Sequence, residues 1–246
     1  MIRALIVQAR MTSTRLPGKV MMDLSGRPML ERQLERLRRC ALVDEIVLAV
    51  TTNPEDDPLV ELARRLDARW YRGSEHDVLS RYLGAAREAQ ADLVVRVTSD
   101  CPVIDPRETD VVVGELEERR TTADYASNTL EPHLPRGLDT EALWADVLER
   151  VARMATSAPA REHVTWFCYS ERPDLFSVHS VRRPFDAHDL RWTVDTAEDL
   201  AVVRRLYSDL GLAERDVALK EIIAHVRAHP ELKAINADIV QKDPSA

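Results

Sequence analysis

Glycine is scarce in this chain. Seven residues in 246, at positions 18, 26, 73, 84, 114, 137 and 211, are under half the roughly 7% of average usage. No two of them form G-x-G, and Gly18-Lys19 lacks both the upstream glycine and the following Ser/Thr of a Walker A loop. A dinucleotide-binding dehydrogenase and a P-loop ATPase are thereby disfavoured. Cysteine is nearly as scarce: Cys40, Cys101 and Cys168 are too few and too scattered for a disulfide framework and contain no C-x-x-C pair, which points to a reducing cytoplasm. The G-x-S-x-G elbow of a serine hydrolase and a D-x-D metal signature are missing, and the histidines are read as carrying no zinc site. No stretch approaches the roughly 18 consecutive apolar residues of a membrane span, and the apolar start Ala4–Val7 meets Arg10 too soon for an export signal.

What is present is a globular composition, 45% hydrophobic and 31% charged, with 34 basic residues against 42 acidic for a net charge of −8. That balance argues against nucleic-acid or membrane-surface binding except through a local basic patch. Short β-branched runs alternate with segments of helical spacing. Strands are expected at 2–9, 45–52, 68–71 and 92–98, and helices from Met29, over 59–66, over 78–89 and around 111–116. This alternation predicts an α/β fold, a mostly parallel twisted sheet with helices on both faces. From about Asp124 the alternation loosens. The reading there is a short apolar segment near Tyr125, a helical run through Leu143, Val147, Leu148 and Val151, a second helix over 160–170, strands at 176–181 and 190–194, and a helix over 197–210. Residues 124–190 are therefore taken as an insertion within a single 1–246 domain, after which the chain returns to the sheet. Lys242–Ala246 reads as a frayed tail.

Ligands of such sheets bind at the carboxyl ends of the strands, which directs attention to three loops. The first, Gln8 to Lys19, gathers Arg10, Arg15 and Lys19 with three hydroxyls, including Ser13. Arginine grips phosphate through paired hydrogen bonds and lysine adds a point charge, so the composition suits a polyphosphate; the alternative is a solvated surface loop. The chain has four lysines, and Lys19 is the only one before position 220, which favours a specific role for it. Asp100 and Asp195 each follow an expected strand, and two such carboxylates can hold Mg²⁺ while water and phosphate oxygens complete the octahedron. On spacing alone, however, Asp195-Thr-Ala-Glu198 reads as a capping box. In the segment 71–81, Gly73 would let backbone approach a flat ligand, and Ser74 could cap the following helix or bond a base or ribose. His163, in Arg161–Trp166, reads from its surroundings as a helix-surface residue.

Three segments, Ala9-Arg-Met-Thr-Ser-Thr-Arg-Leu-Pro-Gly-Lys19, Thr98-Ser-Asp-Cys-Pro102 and Val194-Asp-Thr-Ala-Glu-Asp-Leu200, resemble in order and spacing the signatures of the cytidylyltransferases that make CMP-activated acidic sugars, such as the CMP-Kdo and CMP-sialic acid synthetases. Arg72–Arg81, Arg136-Gly-Leu-Asp-Thr-Glu141 and Arg161–Thr165 look closer to the spore coat polysaccharide biosynthesis branch. The resemblance implies a nucleotide-diphosphosugar transferase fold, Rossmann-like, and transfer of CMP from CTP to an anionic sugar with release of pyrophosphate, in surface polysaccharide or glycoconjugate synthesis. It places Arg10 and Lys19 on the triphosphate, Ser13 and Arg15 nearby, and the backbone of Ala9 at the cytosine. It also adds Gly73, Ser74, Asp77 and Arg81 to the nucleotide site. Asp100 and Asp195 become Mg²⁺ ligands, reversing the capping preference, and Arg136, Asp139, Glu162 and His163 become candidates for the acceptor pocket. A homodimer formed through 124–190 is implied too. One departure is Thr98, where the Kdo enzymes carry glutamine. A phosphonate or sugar phosphate acceptor, a metal-dependent glycosyltransferase and a non-catalytic nucleotide binder remain as alternatives.

Overall fold

The computed structural model describes residues 1–241, so the expected tail at 242–246 lies outside the described residues. The sheet begins with β1 (Arg3–Gln8), β4 (Glu45–Thr51), β5 (Arg69–Gly73) and β6 (Leu93–Thr98), all parallel neighbours in the order β5-β4-β1-β6. The runs of Val, Leu, Ile and Ala in β1, β4 and β6 are buried, as a parallel sheet covered on both faces requires, whereas β5 at the sheet edge is only part-buried. Helices α1 (Met29–Leu37), α2 (Asp57–Arg65) and α3 (Val78–Glu88) make the crossovers. Right-handed connections put α1 and α2 on one face and α3 on the other. Accordingly Arg65 of α2 pairs with Glu31 of α1 at 2.5 Å, while α3 packs against β5, β4 and β1. The chain leaves β1 toward β4 and later returns to β6 on β1's other side. The carboxyl ends of β1 and β6 therefore form a topological switch point, the place where such sheets bind ligands.

The sheet continues as β8 (Glu141–Trp144), β7 (Tyr125–Ser127) and β9 (Val178–Ser180), with β8 antiparallel to both β6 and β7 and β9 parallel to β7. Strands from within 124–190 thus extend the main sheet. After β6 come α4 (Pro106–Glu118), then α5 (Ala145–Met154), α6 (Ala158–His163) and α7 (Ala197–Leu210), and the chain ends with α8 (Leu219–Ala228) and α9 (Pro230–Ala234).

Four departures from the expected elements have local causes. Leu143 was placed on a helix by its spacing to Val147 and Val151, but it pairs with Val94 and Tyr125 in the sheet, and the helix starts only at Ala145; residues 141–144 are all buried, so no alternation marks the strand. The expected strand at 190–194 makes a single bridge, Arg191 with Arg136. Its alternating apolar residues Leu190, Trp192 and Val194 are buried against loops instead. The helix expected over 160–170 breaks at Val164, whose φ of 56° puts a β-branched residue in the left-handed region, and resumes as a π-helical turn, Phe167–Glu171. A small hairpin, β2 (Asp23–Leu24) with β3 (Arg27–Pro28), also went unread. Its turn residues Ser25 and Gly26 both have positive φ, as a two-residue hairpin turn demands.

Helix α3 lies so close to β5 that a Cβ on Gly84 would collide with the ring and hydroxyl of Tyr71. Gly84→Ala should therefore cost about 1–3 kcal/mol, the range for overpacking a tight contact. In a chain of this size that is a loss of roughly 2–4 °C in Tm per kcal/mol, and an unchanged thermal melt would contradict the packing.

Candidate active site

A cleft of about 830 Å³ opens over the carboxyl ends of β1 and β6. One wall is the loop that follows β1. This loop has little regular structure, and carboxylates from other loops hold it: Met11 N–H donates to Asp56 Oδ1 at 2.7 Å, the Thr12 hydroxyl donates to Glu75 at 2.6 Å, and Arg10 lies 3.5 Å from the same carboxylate. Asn53 donates to the other oxygen of Glu75 at 2.6 Å. Hydrogen bonds from Thr12 and Asn53, with Arg10 beside them, hold the Glu75 carboxyl below its ordinary value despite some burial.

Lys19 stands at the centre. Its side chain is buried, its Nζ donates to the Val194 carbonyl at 2.6 Å and to Asp195 Oδ1 at 3.0 Å, and Asp100 Oδ2 is 3.7 Å away. The other oxygen of Asp195 receives Arg15 at 2.7 Å and Arg191 at 2.9 Å. Burial would raise the Asp195 carboxyl, but Lys19, Arg15 and Arg191 outweigh it and keep it below the usual range. Asp195 is not the cap of α7: Thr196 is, accepting from Asp199 N–H in a reciprocal capping box. The expected D-x-x-E box is thus displaced by one residue, which leaves the Asp195 side chain to the cations. Asp100 is fixed by the Thr98 hydroxyl at 2.5 Å, the residue that stands where glutamine was expected.

Asp100 and Asp195 come from separate loops and converge on one cation, so a divalent ion fits their chemistry. Two carboxylate oxygens leave the remaining positions of an octahedron to water and phosphate, as Mg²⁺ prefers. Among the described residues no group of three His, Cys, Asp or Glu side chains could hold a metal. His225 and His229 do stand four residues apart at the end of α8, a pairing the sequence reading passed over, with ring centroids 4.3 Å apart. His225 faces Asp209 at 3.3 Å and His229 bonds the His225 carbonyl.

The opposite half of the cleft is built from 124–190. Arg136, Asp139, Glu162 and His163 all line it. The loop carrying the first two is fastened by backbone: Arg136 N–H donates to the Leu190 carbonyl at 2.9 Å, and Trp192 N–H donates to the Arg136 carbonyl at 2.7 Å. Gly137 makes this approach possible, because at φ 105° a Cβ there would lie 2.6 Å from Thr193 N. Burial pushes the Asp139 carboxyl up to about 6; Arg136 opposes the rise and Asp100 adds to it.

Ala9, Arg10, Ser13, Arg15, Lys19, Arg81, Asp100 and Asp195 also line the cleft, whereas Gly73, Ser74 and Asp77 do not. Gly73 makes room for the Arg81 side chain, 3.0 Å from where its Cβ would be. Asp77, not Ser74, caps α3, and it also pairs with Arg161. Sequence reasoning missed Gln8, Glu75, Arg96, Glu141, Thr193 and Gln241, which share the lining. A charged residue inside the apolar run Leu93-Val-Val-Arg-Val97 was the signal available for Arg96. No helix among the described residues is long and apolar enough to cross a membrane.

The family model described as "Cytidylyltransferase" matches residues 4–223. An uncharacterised protein of Methanocaldococcus jannaschii is 35% identical over 96% of this chain and 95% of its own length. The spore coat polysaccharide biosynthesis protein SpsF of Bacillus subtilis is 32% identical over 92% and 94%. The structure of a cytidylyltransferase from Leptospira borgpetersenii superposes with a TM-score of 0.90 at 27% identity, covering 98% of this chain and all of that one.

The Asp139 carboxyl sets a pH test. The native state keeps its proton up to about pH 6, whereas the unfolded chain releases it near the ordinary carboxyl value of 3.8. The native state binds more protons in between, so this group's contribution to stability falls as pH rises from about 4 to 6. Asp139→Asn should match the wild type at pH 4 and exceed it by about 3 kcal/mol at pH 7–8. A stability difference independent of pH in thermal melts would refute this placement.

Proposed function

The chain belongs to the cytidylyltransferase family, and from that premise we propose that it transfers CMP from CTP to an acidic sugar of the nonulosonic type, releasing pyrophosphate, in surface polysaccharide or glycoconjugate synthesis. The observation that carries this reading is the convergence of Lys19 on Asp195 and Asp100 beside Arg10 and Arg15. That is a cationic wall and a carboxylate pair at one end of a cleft large enough for a nucleotide and a sugar. Its three signatures resemble those of enzymes making CMP-activated acidic sugars, and the similarity to a spore coat polysaccharide protein supports the same pathway class.

In the proposed reaction an acceptor hydroxyl attacks the α-phosphorus, a new P–O bond forms, and the bond to the bridging oxygen of pyrophosphate breaks in line. Catalysis of such a step is mainly positioning and neutralisation of charge on oxygen. Arg10, Ser13, Arg15, Lys19 and Arg81 hold the triphosphate, with the backbone of Ala9 at the base. Mg²⁺ held by Asp100 and Asp195 would supply further neutralisation at the phosphate oxygens. Asp139, raised to about 6, is suited to take the hydroxyl proton near neutral pH. Arg136, Glu162 and His163 contact the acceptor, and 124–190 doubles as a homodimer surface, which light scattering at the mass of one chain would refute.

The test is pyrophosphate release across nucleotides and acceptors. CTP with a nonulosonic acid should be the productive pair. Lys19→Ala and Asp100→Asn should each lower kcat on the order of 10²–10³-fold, as for other preorganised charge-stabilising groups, with Tm within a few degrees of wild type for Asp100→Asn and, for Lys19→Ala, a lower Tm but a native far-UV spectrum at the assay temperature. Near-wild-type turnover in either variant would remove the site assignment. Tight CTP binding without release for any acceptor would remove the activity.

A further inference from the structure

At the floor of the cleft, beneath the acceptor half, lies an ion pair that the proposed reaction leaves without a role. Arg96 and Glu141 are direct cross-strand partners on β6 and β8, and their side chains are 12% and 9% exposed. Glu141 Oε2 receives Arg96 NH1, while Oε1 receives the Tyr125 hydroxyl at 2.6 Å and the Thr165 hydroxyl. The carboxylate is thus fully engaged. The guanidinium is not: its NH2 comes no nearer than 3.5 Å to Gln8 Oε1, and its Nε has no partner.

Burying a guanidinium is costly, and leaving its donors unpaired costs more. A buried pair of this kind is often no more stable than apolar side chains of the same volume. Here the strand around it is Leu93, Val94, Val95 and Val97, all buried, so an apolar residue at position 96 would complete the pattern. The surroundings nonetheless hold the charge in place. Glu141 fixes one edge of the guanidinium and the Tyr82 ring lies under its face at 5.8 Å. Thr165 is brought to Glu141 just after the positive-φ residue Val164, strain of about 1–3 kcal/mol that persists only where the surroundings enforce it. The result is a rigid guanidinium in the wall of the cleft that Gln8, Arg96 and Glu141 all line, with NH2 its loosely held donor, 3.5 Å from Gln8 Oε1, and Nε buried without a partner.

We propose that Arg96, oriented by Glu141, is the specificity residue for the acceptor, receiving its carboxylate at the NH2 edge of the guanidinium beside Gln8. Arg136 lies exposed on the rim; Arg96 is the cation that a carboxylate meets only after losing its water, where a charged hydrogen bond discriminates most. This rests on the acidic-sugar reading, and Glu141 acts only through Arg96, as a positioning residue.

The test compares kcat/KM for sialic acid and Kdo with that for their C1 methyl esters, in the presence of CTP. The wild type should favour acid over ester on the order of 10²-fold, and Arg96→Gln should collapse that ratio to within a few-fold while KM for CTP stays unchanged. Arg96→Gln alone leaves Glu141 without its cation, so Arg96→Gln/Glu141→Gln restores neutrality and should show the same collapsed ratio at near-wild-type Tm. An undiminished acid-to-ester ratio in either variant, with activity lost equally on both substrates, would make Arg96 a structural residue and overturn the proposal. Transfer to a phosphonate but to no sugar acid would overturn the acceptor class instead. The ratio between the phosphonate and its neutral diester then decides Arg96 separately.

Discussion

The carboxylate of Asp195 is the interaction on which the site depends. It is nearly buried, and three cations from two distant parts of the chain meet on it: Arg15 and Lys19 from the loop after β1, and Arg191 from the segment before α7. A loop of eleven residues with little regular structure of its own is tied in this way to a part of the chain about 175 residues later. Removing one member of such a buried network typically costs about 3–5 kcal/mol, because the charges left behind have lost their water as well as their partner. The network also extends outward. Arg191 continues to Asp199 at 2.9 Å, and Asp199 receives Asn236 at 2.9 Å, so the C-terminal helices brace the same point.

The sequence-level reading and the structure agree where the information is local. The four parallel strands, the loops at their carboxyl ends and the cations in the first loop are carried by short local runs, each visible without reference to the rest of the chain. They diverge where a long-range partner decides. Leu143 has helical spacing, and only its pairing with Val94 and Tyr125 makes it strand. Residues 190–194 have strand-like alternation, and only the Arg136 loop lying beside them makes them an isolated bridge. Thr196 takes the cap expected of Asp195 because three cations reach the aspartate first. The motif-derived residues divide by the same rule. Arg81 reaches the cleft, while Asp77 is engaged by α3 and by Arg161, a contact across 84 positions that no spacing rule conveys.

The cleft floor shows how a mixed sheet serves such a site. The parallel part supplies the switch point and its loops. The antiparallel strand β8 places Glu141 directly opposite Arg96, and the same register sets Asp139 two residues earlier, where the strand gives way to the loop held by Arg136 and Gly137. The strand thereby carries a carboxylate fixed by three donors, and the loop at its start carries another whose proton affinity burial has raised. The two differ in environment far more than in position.

Glycine poverty, the first feature of this sequence, has its physical counterpart in how the cations are held. A glycine-rich loop binds phosphate with backbone N–H groups that face the ligand and need no countercharge. In the proposed nucleotide site the work would fall to side chains, and cationic side chains gathered in one loop would repel one another unless compensated. Arg10 therefore faces Glu75, and Arg15 and Lys19 share Asp195. Each cation is preorganised by a carboxylate, and any anion that enters must compete with that carboxylate. A monoanion offers no advantage over the partner already present, whereas a triphosphate engages several cations in a single binding event. In the proposed nucleotide site, selectivity for a polyanion would follow from building the loop with arginine and lysine, and a chain with a net charge of −8 has the carboxylates that such a design requires.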